Sequence, residues 1–270
     1  MYQKEKIQKM FEGMDYEKIH SITTSFIKER VGDYKVLVGL SGGIDSALTC
    51  SLAIDALGNE NVKVLTIKNV RYSNENLSIA RAFASKMGVD IIEIDSNNIR
   101  DQFLSRIKLD EKDIRQVATL DARICDLLIR TVANREGRIF LGTINDTERI
   151  TGWYPKGSLF GDFCPIGGLL KHQVQQLARF QKLPEGIIDS VSGDASKVCS
   201  GCGELPEFKG IPYDVLDAVL YVYETEKPEN YRKKLSTLGI SQKITKIILN
   251  RIGVARNKSD VFCPYPKINF

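Results

Sequence analysis

From residue 34 to residue 143 the chain alternates short apolar runs with longer segments whose apolar residues recur at helical spacing, and no other feature narrows its folding options as far. The runs "YKVLVGL" (34–40), "NVKVLTI" (61–67), "VDIIEID" (89–95) and "RIFLGT" (138–143) read as buried strands rich in Val, Ile and Leu. Between them, segments 45–57, 74–87 and 116–135 read as helices. Strands separated by helices join side by side through right-handed crossovers. The expected fold is therefore α/β, a doubly wound parallel sheet covered by helices on both faces.

The flanks differ from this core. Residues 1–32 carry Ile7, Met10, Phe11, Ile19, Ile22, Phe26 and Ile27 at helical spacing and read as a helical entry segment. After 150, "TGWYPKGSLFGDFCPIGG" reads as a loop, followed by a helix over 169–181. "SVSGDASKVCSGCGELPEFKGIPYD" has little periodicity, which in an enzyme is the mark of a lid or binding loop. Helical patterns over 213–224 and 241–252 close the chain. The division expected is an entry segment (1–32), an α/β core (33–190), and a lid loop with a helical C-terminal subdomain (191–270), all within one overall domain.

Composition limits the function. The 270 residues carry a net charge of +4, spread along the chain without a basic tract or a stripe of interleaved aromatics. A nucleic-acid partner is not expected. No apolar run is long enough to cross a bilayer and the charged N-terminus is unlike a signal peptide, so a cytoplasmic protein is expected. Six cysteines are too few for a disulfide scaffold of this length. Only Cys199 and Cys202, in "CSGC", have a suggestive spacing, open to half a zinc site, part of an iron–sulfur site, a redox pair, or two small residues in a loop.

In an open parallel sheet, ligands sit where a strand ends and the next helix begins. "SGGIDS" (41–46) occupies that place after the first strand of the sheet. Glycines there let the backbone approach a ligand, and the N–H groups of the following helix favour phosphate. The segment is neither GxxxxGK[ST] nor GxGxxG. A Gly-rich turn that only links strand to helix is the bland alternative.

"SGGIDS" resembles the SGGxDS pyrophosphate loop of the ATP pyrophosphatase (PP-loop) superfamily, whose members cleave ATP between the α and β phosphates and adenylate a substrate. "GTINDTE" (142–148) is similar to the GTxNxSE segment of NAD synthetases, and the resemblance extends from about residue 20 to 267 through "GIPYDVLDAVL" (210–220) and "RNKSDVFCPYPK". The resemblance implies an adenine nucleotide alpha hydrolase-like, Rossmann-like sheet. It implies ATP binding by Gly39, Ser41, Gly42, Gly43, Ile44, Asp45, Ser46, Thr143, Lys171 and Ser192, and Mg²⁺ held by Asp45 and Glu148. Deamido-NAD would be bound by Arg123, Lys156, Asp162 and Lys258, and Asp45, Glu148 and Lys171 would be the catalytic group.

The family reaction adenylates the nicotinate carboxylate of deamido-NAD, releases pyrophosphate, and displaces AMP with ammonia to give NAD. The resemblance also implies a homodimer. The first 30 residues are too few for a glutaminase, which makes free or partner-delivered ammonia the expected donor. The chain departs from the family pattern at Cys125, where a second arginine is usual, at "PKGS" (155–158), and at Asn257-Lys258, where His-Lys is common. These departures leave open an NAD synthetase-like ligase for another carboxylic acid. "CSGC" leaves open a sulfur-transfer enzyme of the same superfamily, and loss of turnover would leave a nucleotide sensor.

Overall fold

The computed structural model describes residues 2–70, 74–157, 160–188, 208, 210–259 and 263–268. The four expected apolar runs become the parallel strands β1 (Lys35–Gly39), β2 (Val62–Lys68), β3 (Asp90–Asp95) and β4 (Arg138–Leu141). Their order is β3-β2-β1-β4. Val36 pairs with Val62 on one side of β1 and with Ile139 on the other. The chain thus winds outward from β1 to β3 and returns to the far side of β1 for β4. Strand order reverses there, and a crevice opens beyond the carboxyl ends of β1 and β4.

Alternation along the strands sends side chains to two cores. Val36, Val38, Val62 and Val64 pack with helices α2 (Tyr16–Val31), α3 (Ile44–Leu57), α4 (Asn74–Met87) and α8 (Lys171–Phe180). On the other face, Leu37, Leu65, Ile67 and Phe140 meet Ile129 and Val132 of α6 (Ile114–Glu136). Both faces are covered, as β-strands with continuous apolar runs require. Each leucine or isoleucine fully buried this way contributes about 2 kcal/mol.

A further core joins the two ends of the chain. Ile7 and Phe11 of α1 (Lys4–Glu12) pack against Val215, Val219 and Val222 of α10 (Tyr213–Thr225), with Leu235 of α11 (Pro228–Thr237) and Ile248 of α12 (Gln242–Ser259). The entry segment therefore divides, α2 going to the sheet and α1 to the C-terminal helices. Three short elements lie where no helix was expected: α5 (Asn97–Ile107), α7 (Asp146–Thr151) and α9 (Glu185–Ile188). Helix α5 buries only Arg100 and Leu104, so its sequence carries little apolar periodicity. Helix α7 is too short to show any.

Strand β4 is an edge strand, and the segment after α7 returns to cover it. The Asp162 N–H donates to the Phe140 carbonyl at 2.7 Å, the Phe140 N–H to Asp162 Oδ2 at 2.9 Å, and the Gly142 N–H to the Phe163 carbonyl at 2.9 Å. Gly161 makes this approach possible, since its φ is 64° and a Cβ there would lie 2.5 Å from the Phe140 carbonyl oxygen. Among the described residues, no helix is long and apolar enough to cross a membrane.

Candidate active site

The loop after β1 is braced by its own hydroxyls. Ser46 Oγ donates to the Gly43 carbonyl at 2.9 Å and accepts from the Ser41 N–H at 3.2 Å, while the two serine oxygens lie 3.1 Å apart. Gly42 has φ 84°, a conformation that L side chains rarely adopt. Gly43 is the N-cap of α3 and has no side chain to cap it, so Ile44 and Asp45 enter the first turn with the helix end open toward the crevice. That is the backbone arrangement that accepts an anion.

Three charged groups converge beside the loop. Asp45 Oδ2 is ion-paired and hydrogen-bonded to Lys171 Nζ, and Asp45 Oδ1 accepts from Asn145 Nδ2 at 3.0 Å. Asn145 begins α7 with a reciprocal cap: its side chain accepts from the Glu148 N–H at 3.0 Å, and Glu148 Oε2 accepts from the Asn145 N–H at 3.1 Å. The sequence N-x-x-E thus fixes one carboxylate by folding its own helix. Burial, and then the neighbouring Asp45 carboxylate, push the Glu148 carboxyl up to about 8 against the pull of Lys171. Burial alone would lower the Lys171 ammonium, but Asp45 and Glu148 outweigh it and hold its pKa above the usual lysine value.

Asp217, on α10, sets this cluster from behind. It is fully buried, and accepts from Thr147 Oγ1 at 2.6 Å and from the His172 N–H at 2.7 Å. Thr147 Oγ1 in turn accepts from the Lys171 N–H at 2.9 Å. The first turn of α8 and the start of α7 are thereby locked to one carboxylate. Asp217→Ala leaves these donors buried without an acceptor, and a loss of about 3 kcal/mol is expected in urea unfolding. A loss below about 1 kcal/mol would show that α7 and α8 are held by packing alone.

A cavity of about 210 Å³ opens beside the loop, with Gly39, Ser41 and Thr143 on its polar side and Leu65, Ile129 and Cys125 among its walls. Its position and size suit a planar base whose phosphates extend over residues 41–46. Two carboxylates beside phosphate oxygens form the hard-oxygen donor set that suits Mg²⁺, which commonly binds through one or two carboxylates plus substrate phosphates. Among the described residues, no three His, Cys, Asp or Glu side chains cluster as a self-contained metal site.

The NAD synthase family model matches residues 16–261. The chain belongs to the NAD synthase family. An NH3-dependent NAD+ synthetase of Pelodictyon phaeoclathratiforme is 34% identical over 216 residues, covering 77% of this chain and 75% of that protein. One from Pyrobaculum aerophilum is 30% identical over 246 residues, covering 89% of each. Among solved structures, the NH3-dependent NAD synthetase of Campylobacter jejuni matches with a TM-score of 0.74 at 25% identity, over 95% of this chain and all of that one. As an NAD synthase family member, the protein is a ligase that forms a carbon–nitrogen bond, and its parallel sheet with flanking helices is the family's fold.

The remaining residues expected from the NAD synthase pattern fall in several places. Arg123 Nη2 donates to the Lys156 carbonyl at 3.3 Å, which brings those two together beside the middle of α6. Asp162 accepts from the Phe140 N–H and lies 3.4 Å from Arg130 Nη1, so in this structure its carboxylate braces the edge of β4. Lys258 belongs to the last turn of α12, and its side chain lies outside the described residues. Ser192, Cys199 and Cys202 also lie outside them. Tyr154 is buried and packed edge-on against Phe160, with ring centroids 4.9 Å apart.

Asn145, Thr147 and Asp217 were not singled out from the sequence. For Asn145 a signal existed, the N-x-x-E capping pattern immediately after a strand. Asp217 lies within "GIPYDVLDAVL" (210–220), a segment that carries the family resemblance, and tertiary packing brings it to the site.

Proposed function

We propose that the protein makes NAD from deamido-NAD, ATP and ammonia in the cytoplasm, with Asp45, Glu148 and Lys171 as its catalytic group. The observation that carries this reading is the Lys171–Asp45–Asn145–Glu148 cluster standing beside the open N-terminus of α3 and the cavity at the ends of β1 and β4. The nicotinate carboxylate attacks the α-phosphorus of ATP, the α–β bridging bond breaks, and pyrophosphate leaves. Ammonia then attacks the acyl carbon of the adenylate, loses a proton, and expels AMP.

In this reading the backbone N–H groups of residues 41–46 receive the departing pyrophosphate, and Lys171 offsets the charge that grows on it. Thr143 and Ser192 contact ATP, while Arg123, Lys156, Asp162 and Lys258 take deamido-NAD. Asp45 and Glu148 would hold Mg²⁺, which would neutralise the phosphates that the nucleophile must approach. Most of the acceleration then comes from positioning and electrostatics, without a covalent intermediate on the protein. Residues 33–190 supply the ATP-cleaving core and residues 210–259 the C-terminal helices, while the expected lid loop falls on residues 189–207, outside the described residues. The homodimer enters this reading on resemblance alone.

The test is pyrophosphate release by purified protein with ATP, Mg²⁺ and ammonium, with and without deamido-NAD, with NAD measured in the same tube. Pyrophosphate and NAD should appear together and only with deamido-NAD present. Cleavage of ATP with a different acid alone, or no cleavage, overturns the substrate assignment.

A pH dependence follows from Glu148. The folded, metal-free protein holds a proton on this carboxyl up to about pH 8, whereas the unfolded chain loses it near the ordinary glutamate value of 4.5. The folded state therefore binds more protons between those values, and stability falls as pH rises through that window. Mg²⁺ needs the ionised carboxylate. Mg²⁺ uptake below about pH 8 should release close to one proton per site, measured by calorimetry in buffers of different ionisation enthalpy. Glu148→Gln should abolish the release.

A further inference from the structure

Two cysteines that the proposed reaction does not use meet in the small core formed with Ile144, Tyr154 and Phe160. Cys164 Sγ and Cys263 Sγ each donate to the same acceptor, the Phe160 carbonyl, at 3.1 Å. Two sulfurs bound to one oxygen can stand no further apart than twice that distance. The main chains run together as well, because the Cys164 N–H donates to the Pro264 carbonyl at 2.9 Å. A disulfide spans Cα atoms roughly 4.5–7 Å apart, a separation that hydrogen-bonded neighbouring segments provide.

The tail that carries Cys263 is seated on the loop before α8. A Cβ on Gly167 would lie 2.8 Å from Tyr265 Cβ, and the Tyr265 ring lies 4.7 Å beneath the Arg149 guanidinium. Cys164 is fully buried while Cys263 is half-buried, so the second is the one an oxidant can reach. Burial, and then the hydrogen bond with Cys263, keep the Cys164 thiol protonated well above the usual thiol range.

We propose that Cys164 and Cys263 form an oxidisable thiol pair, which a peroxide converts to a disulfide stapling residues 263–268 to the loop between β4 and α8. The Cys263 thiolate attacks one peroxide oxygen, the O–O bond breaks, and a sulfenic acid and one water result. Cys164 sulfur then displaces the hydroxyl, the S–S bond forms, and a second water leaves. Two thiols lose two electrons and two protons, and the peroxide is reduced to two waters. A dithiol reductant reverses the step. Helix α12, which precedes this tail in the chain, leans on α7, where Arg251 donates to the Thr151 carbonyl at 2.7 Å.

The experiment uses the full chain carrying Cys199→Ser and Cys202→Ser, which removes the other closely spaced pair. After hydrogen peroxide, alkylation and digestion, the peptides holding Cys164 and Cys263 should be recovered cross-linked, with two fewer alkylated thiols. The melting temperature should rise by about 5 °C, and dithiothreitol should restore both values. Adding Cys263→Ser should remove the cross-link and the shift, and this variant leaves the buried Cys164 in place should Cys164→Ser fail to fold. The proposal is overturned if both thiols stay alkylatable, if Cys263 is found joined to another cysteine or over-oxidised beside a free Cys164, or if the cross-link forms without a rise in melting temperature.

Discussion

Asp45→Ala is expected to lower NAD formation at least about a thousandfold. The carboxylate has two roles in the proposed reaction: with Glu148 it would hold magnesium, and it anchors Lys171. In the resting protein it holds the Lys171 ammonium and the Asn145 amide at once. Its removal frees Lys171 to pair with Glu148 alone, so the ammonium moves away from where the departing pyrophosphate would lie. The fold should survive with a loss of about 1–2 kcal/mol, because the lysine keeps a buried partner. Glu148 also loses the neighbouring carboxylate that helps to raise its pKa, and proton release on Mg²⁺ addition should move to lower pH. Steady-state assays read the first effect, and retention of more than about a tenth of the activity would remove Asp45 from the catalytic group.

Gly42→Ala should be nearly as damaging for a different reason. An alanine Cβ at this φ of 84° would drive into the Asn76 carbonyl oxygen and lie 3.1 Å from its carbon, both backbone atoms of α4. Backbone cannot swing aside as a side chain does, so either the loop or the first turn of α4 must move. A loss of about 3 kcal/mol and about a hundredfold in activity is expected. Gly43→Ala supplies the contrast, since its Cβ would meet only Ser41 Oγ at 3.4 Å. Gly43 also has φ −92°. Its stability should stay within about 0.5 kcal/mol of the parent. Equal effects at the two glycines would mean that the loop's shape is not what α4 constrains.

Much of this architecture could be read before any coordinates. The strands were legible because Val, Ile and Leu crowd into runs too short for helices, and the helices beside them because apolar residues recur over at least ten positions. The phosphate loop was legible because it needs glycine at a fixed place between the two patterns. Helices α5 and α7 were not, since one buries little and the other spans six residues. In the active site, Asp45, Glu148 and Lys171 were found through motif resemblance, and the structure brings them into one cluster. Asp217 lies in a segment that carries the resemblance, but its supporting role, holding the Thr147 hydroxyl and the His172 backbone N–H, emerges only when α10 packs behind α7 and α8. Arg130 was missed for a related reason. Asp126 is its i,i+4 neighbour within α6, but Asp162 reaches it only after α6 has packed on the sheet.

The strap over β4 bears on how the protein behaves in a crowded solution. An exposed edge strand offers unsatisfied N–H and C=O groups to any other extended chain, and is the usual starting point for intermolecular sheet growth. Here Phe140 and Gly142 have their outward groups taken by Asp162 and Phe163 of the same molecule. Stickiness at this edge is thus governed by a segment with almost no secondary structure of its own. The protein's colloidal shelf life would be set where that strap peels, well before the sheet melts.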